Sequence, residues 1–130
     1  MKVILIVEGW KDAEQIHRAF EGNADLLTVV TEGTKFNNRV IAELEQCMRQ
    51  GDCAVYIFSD PDEAGNQLSE MVRHVFPDIP RIDADADECS YFTGKRKKAG
   101  IEYASYRYLR KLISPFLGLD YIEEETINWE

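Results

Sequence analysis

Basic charge is scarce in this chain. Its 15 lysines and arginines stand against 24 aspartates and glutamates, for a net charge of −9. That balance excludes a broad electrostatic grip on nucleic acid and restricts any phosphate contact to a local patch or a bridging cation. Long apolar runs are missing too. The first, Val3 to Val7, is too short for a signal-peptide core and ends in Glu8, and no stretch reaches transmembrane length. A cytoplasmic protein with no membrane contact is expected. Cys47, Cys53 and Cys89 contain no CxxC pair, and an odd count suits inert thiols in a reducing compartment better than a disulfide framework. His17 and His74 lack ligand-spaced partners, which argues against zinc. No internal repeat and no low-complexity linker interrupts the chain.

What is present alternates between strand and helix. A chain of 130 residues, 45% of them hydrophobic, can bury a single substantial core. Apolar runs give strands over 2–7, 26–31 and 54–59, with a short fourth over 80–84. Helical spacing predicts helices over 11–20, 38–50, 61–75 and 101–113, with an irregular stretch before the last. The order predicts a three-layer α/β/α, Rossmann-like domain over 1–113 with a mostly parallel four-stranded sheet. The tail, 114–130, carries Pro115, the acidic run Glu123 to Glu125, Ile127 and Trp129. It is expected to fold back on the domain or to anchor a protein partner or a second copy of the chain.

Two acidic motifs follow the first and third strands. Val7 runs into Glu8-Gly9, and Phe58-Ser59 runs into Asp60-Pro61-Asp62-Glu63-Ala64-Gly65. The second motif has an ordinary structural reading as a helix start, with Asp60 as cap and Pro61 at the first helical position. Glu8 changes the weighing. In a doubly wound sheet the first and third strands are usually neighbours, which sets Glu8 opposite Asp60 and Asp62. Carboxylates so gathered repel one another unless a hard divalent cation lies between them.

These residues resemble the Toprim domain, which topoisomerases, bacterial primases and several nucleases share. Glu8-Gly9-Trp10-Lys11-Asp12 is similar to its glutamate-glycine motif, and Asp60-Pro61-Asp62-Glu63-Ala64-Gly65 to its DxDxxG motif. The basic run Lys95-Arg96-Lys97-Lys98 before Gly100-Ile101-Glu102-Tyr103-Ala104 narrows the resemblance to the Toprim domain of the ribonuclease M-five family. The resemblance implies magnesium at Asp60 and Asp62, one or two ions, replaceable by manganese. Glu8 would complete the metal site or act as general acid or base, and Asp12 would be a supporting or second-metal carboxylate. Gly9 and Gly65 would let substrate approach the backbone. Lys35 and Lys95 to Lys98 would touch the nucleic-acid backbone, RNA ahead of DNA, and Glu102 would support the site. For Lys35 and the basic run, plain solvated positions remain the competing reading.

The implied activity is metal-assisted phosphodiester chemistry on nucleic acid. A non-catalytic Toprim module that binds metal and nucleic acid or a partner is the alternative. A phosphoacceptor receiver domain is the third; it needs a fifth strand that the sequence does not offer. The long C-terminal region of the ribonuclease M-five family has no counterpart in the tail from Ser114, so substrate recognition is expected to be either missing or supplied by another chain. Asp83, Asp85 and Asp87 alternate as if on one face of an extended segment, either as a solvated edge or as extra cation ligands.

Overall fold

The computed structural model describes residues 1–120. Glu123 to Glu125, Ile127 and Trp129 lie outside the described residues. Strand β1 (Lys2–Val7), helix α1 (Trp10–Ala19), β2 (Leu26–Val30), α2 (Asn38–Met48), β3 (Cys53–Ile57) and α3 (Glu63–Val75) follow one another in strict alternation. A hairpin, β4 (Ser90–Phe92) and β5 (Lys97–Ala99), helix α4 (Tyr106–Ile113) and a 3₁₀ turn (Ser114–Leu117) follow among the described residues.

Val3, Ile4, Leu5, Ile6 and Val7 are all buried, because β1 is the middle strand and both of its faces are covered. It pairs in parallel with β2 on one side and β3 on the other. Val3, Leu5 and Val7 pack with Ala13 and Ile16 of α1 and with Leu109 and Ile113 of α4. Ile4 and Ile6 pack on the opposite face with Val40 and Leu44 of α2 and Leu68 and Val72 of α3. Helices therefore cover both faces of the sheet, as the alternation implies.

The parallel sheet has three strands rather than the four expected. Of the stretch 80–84, only Arg81 pairs, through a single parallel bridge to Ile57. Ile57 donates its N–H to the Pro80 carbonyl and accepts from the Ile82 N–H, each at 2.9 Å. Proline has no N–H with which to extend the ladder in one direction. In the other, Asp85 starts a turn, its carboxylate accepting the Asp87 N–H at 2.8 Å and its carbonyl the Cys89 N–H at 3.1 Å. The segment through Asp83, Asp85 and Asp87 is thus not one extended face. Asp83 lies 3.6 Å from Arg81 and Asp87 2.8 Å from Lys97.

Two further departures bear on the site. The stretch before residue 101 contains the β4–β5 hairpin, whose strands of three residues each are too short to show a period in sequence. The helix over 101–113 is broken. Ile101–Tyr103 form a 3₁₀ turn, Ala104 is extended, and Ser105 caps α4 by accepting the Tyr108 N–H at 3.0 Å. No helix among the described residues is long and apolar enough to cross a membrane.

Leu109 joins α4 to the β1 face and is fully buried. Leu109→Ala should lower stability by about 2–5 kcal/mol, read as a lower urea midpoint with an unchanged slope.

Candidate functional site

Parallel pairing of β1 with β3 carries their ends to the same edge. The Phe58 N–H still donates to the Ile6 carbonyl at 2.8 Å, and one step further the Glu8 carboxylate accepts the Asp60 N–H at 2.9 Å. Glu8 is only 9% exposed, so its carboxyl is held at the rim of the core. On its other side the Gly33 N–H reaches the Glu8 carbonyl at 3.0 Å, which ties the loop after β2 to the same edge.

Asp60 does not cap α3. That position belongs to Asp62, whose carboxylate accepts the Gly65 N–H at 2.7 Å, while the Asp62 N–H bonds back to the Asp60 carbonyl at 2.9 Å. The helix therefore starts at Glu63, two residues later than the sequence suggested, and the Asp60 side chain is free for other partners. Gly65 makes this turn possible. A Cβ there would lie 1.8 Å from the Asp60 carbonyl oxygen, so the glycine is buried beneath the loop it supports.

The Asp60 carboxylate accepts the Ile101 N–H at 2.8 Å, and the next donor, the Glu102 N–H, goes to Asp12 at 2.9 Å. The second oxygen of Asp12 accepts the Gly9 N–H at 3.1 Å, closing the first turn of α1. Asp12 is 5% exposed. It fastens the start of α1 to the 101–102 segment, which lies some ninety positions away in sequence.

Burial raises the pKa of each of these groups first, and the charge of neighbouring carboxylates adds to it. Glu8 is pushed up to about 8, with Asp60 and Asp62 contributing after desolvation. Asp12 is pushed up to about 7 by burial and then by the Asp60 charge. Asp60 is also raised by burial, against the hydrogen bond from Ile101. Among the described residues, no group of three His, Cys, Asp or Glu side chains stands ready as a metal cage. The donors present are nonetheless all oxygen, two of them in contact, and magnesium commonly takes only one or two protein carboxylates while keeping its waters. The residues fit a hard cation of that kind.

Arg81 is the site residue that sequence reasoning missed. Its guanidinium donates to the Asp60 carbonyl at 3.0 Å and to Asn66 at 2.7 Å, so it braces the loop against α3. An arginine within the apolar stretch Ile79 to Ile82 was the available signal. The basic residues gather less closely. Lys35 is exposed on the loop after β2 and Lys95 to Lys98 on the hairpin, with Lys97 engaged by Asp87 at 2.8 Å. Burial pushes the Cys89 thiol up to about 12, so it is inert, as expected for a packed cysteine.

The arrangement defines a parallel α/β domain with carboxylates at the adjoining ends of its first and third strands. The Toprim domain family model matches residues 3–93, and the chain belongs to that family. It is 29% identical over 114 residues to ribonuclease M5 of Bacillus anthracis, a match that covers 87% of this chain and 57% of that protein. Against ribonuclease M5 of Bacillus cereus the identity is 30%, covering 87% and 56%. The chain thus spans little more than half the length of these relatives. A solved small TOPRIM domain protein from Bacillus stearothermophilus superposes with a TM-score of 0.66 at 22% identity, covering 89% of each chain. That likeness concerns the fold.

Two outcomes follow from the geometry. The raised carboxyls favour their neutral forms in the folded chain, so stability is full below the unfolded values and is lost as pH rises. In metal-free buffer the urea midpoint should fall as pH rises from 4.5 through about 8 for Glu8, and from 3.8 through about 7 for Asp12. Glu8→Gln should flatten most of the upper slope. Gly65→Ala should cost about 3 kcal/mol or more in denaturant titrations, since backbone must move to admit the methyl.

Proposed function

We propose that the chain carries out magnesium-dependent phosphodiester chemistry on RNA, as a nuclease domain of the ribonuclease M5 type. The observation that carries this reading is the contact between Glu8 and Asp60 across two neighbouring strand ends, at 2.9 Å. Helix capping explains Asp62 but gives no reason for an acid after β1 that reaches Asp60.

Asp60 and Glu8 would hold the cation, and the Asp62 carboxylate stands next to them with one oxygen engaged by Gly65. Magnesium, when bound, would polarise the scissile phosphate and stabilise the attacking and leaving oxygens. Glu8, nearly buried and with a raised pKa, is suited to keep or pass a proton near neutral pH. Asp12 and Arg81 would act through others. One fixes the 101–102 segment and the other holds the Asp60 backbone. Lys95, Arg96 and Lys98 would attract the phosphate backbone locally although the whole chain is acidic. A side chain at Gly9 would lie 3.4 Å from the Asp12 carboxylate, and its absence would let substrate approach the backbone there.

A second reading is a non-catalytic Toprim module that binds metal and nucleic acid. It is favoured by one observation: the match covers only 57% of the Bacillus anthracis relative, so a further region or partner chain could be required for turnover.

Incubating the protein with structured RNA, single-stranded RNA and duplex DNA, with and without Mg²⁺, separates these readings. Cleavage of RNA only with Mg²⁺ is expected, falling about 100-fold or more in Glu8→Gln. Asp60→Asn should lose Mg²⁺ binding by calorimetry while keeping its fold. Unchanged Mg²⁺ affinity in that variant would overturn the site. Metal binding without turnover on any substrate selects the second reading.

A further inference from the structure

The β4–β5 hairpin holds features that the metal site does not use. Residues 89–101 contain no aspartate or glutamate, in a chain whose net charge is −9. Within them, Tyr91 pairs directly with Lys98 across the antiparallel ladder, so both side chains share one face. Tyr91 lies nearly parallel to Tyr103, with ring centroids 5.6 Å apart and an 18° angle between planes. Tyr91 is nevertheless 53% exposed, so the stack with Tyr103 leaves about half of the residue open to solvent.

The position of this ring pair is what gives it meaning. A Cβ on Gly100 would lie 3.6 Å from the Asp60 carboxylate and 3.6 Å from the Tyr103 ring. Tyr103 therefore borders the acidic site, and Tyr91 extends the stack outward from it. A tyrosine needed only to brace Tyr103 has no reason to leave its own outer face bare beside a lysine.

We propose that the outer face of Tyr91 is a stacking platform for an unpaired nucleobase, with Lys98 holding the neighbouring phosphate. The inference rests on the nucleic-acid reading above and specifies its substrate class, RNA with an unpaired nucleotide beside the phosphate that reaches Glu8 and Asp60. Paired bases within a helix present no free face to such a ring, whereas unpaired bases stack readily on aromatic side chains. Charge complementarity supports this occupant. Lys95, Arg96 and Lys98 are exposed around the platform, and among the described residues Lys97 alone of the run is held by an acid.

The test is equilibrium binding of a single-stranded oligoribonucleotide carrying 2-aminopurine, beside a blunt RNA duplex of the same length. Quenching of 2-aminopurine is expected with the wild-type chain. Tyr91→Ala should weaken single-strand binding about tenfold and remove the quenching, with duplex binding unchanged, and Tyr91→Phe should restore both. Lys98→Ala should lower the slope of log affinity against log salt by about 0.7. Unaltered quenching in Tyr91→Ala would overturn the platform, as would equal losses on single strand and duplex. A wild-type chain that binds the duplex but not the single strand would overturn it while leaving the nucleic-acid reading intact. Binding of neither would overturn both.

Discussion

Buried carboxylates must be hydrogen-bonded or neutralised, and the far end of this chain supplies what those at the sheet edge need. Consecutive backbone N–H groups of Ile101 and Glu102 donate to Asp60 and Asp12, at 2.8 and 2.9 Å. Ile101 is itself fully buried against the β1 face, so these donors are anchored by apolar packing. A buried acceptor without a donor costs about 1–3 kcal/mol, more when charged. The segment around residue 101 therefore completes the site as much as the strands do.

The remaining pieces divide the work so that Asp60 stays available. Asp62 takes over helix capping, Gly65 lets the helix approach the loop backbone, and Arg81 holds the loop carbonyl from the other side. The charges of Asp60 and Asp62 still disfavour an ionised Glu8, and burial keeps the Glu8 and Asp60 carboxyls reluctant to ionise. A divalent cation is the simplest relief for such a pair, which links the electrostatics of the fold to the proposed chemistry.

Much of this was legible in the chain itself. The fully apolar β1 announced a strand covered on both faces, and acids after the first and third strands located the edge at which they would meet. What escaped did so for physical reasons. Asp60 and Asp62 are both good caps, and only the bond between the Asp62 N–H and the Asp60 carbonyl decides which one serves. The residues 101–113 carry one helical pattern, yet the bonds that draw Ile101 and Glu102 to distant acids break it at Ala104. Pro80 cut the fourth strand to a single bridge. The hairpin hid because lysines at strand positions look like a solvated loop, and its partner Tyr103 lies beyond it in sequence.

The central claim is that Glu8 and Asp60 form a cation site closed by the 101–102 segment. A titration of the isotope-labelled chain with Mg²⁺, followed through its backbone amides, addresses this directly. The amides of Asp60 and Ile101 donate to the very carboxylates concerned. Saturable shifts at those two amides and at Gly9, absent in Asp60→Asn, are expected. Amides at this edge that stay unmoved through millimolar Mg²⁺, or shifts confined to the exposed acids Asp83 and Asp87, would contradict it.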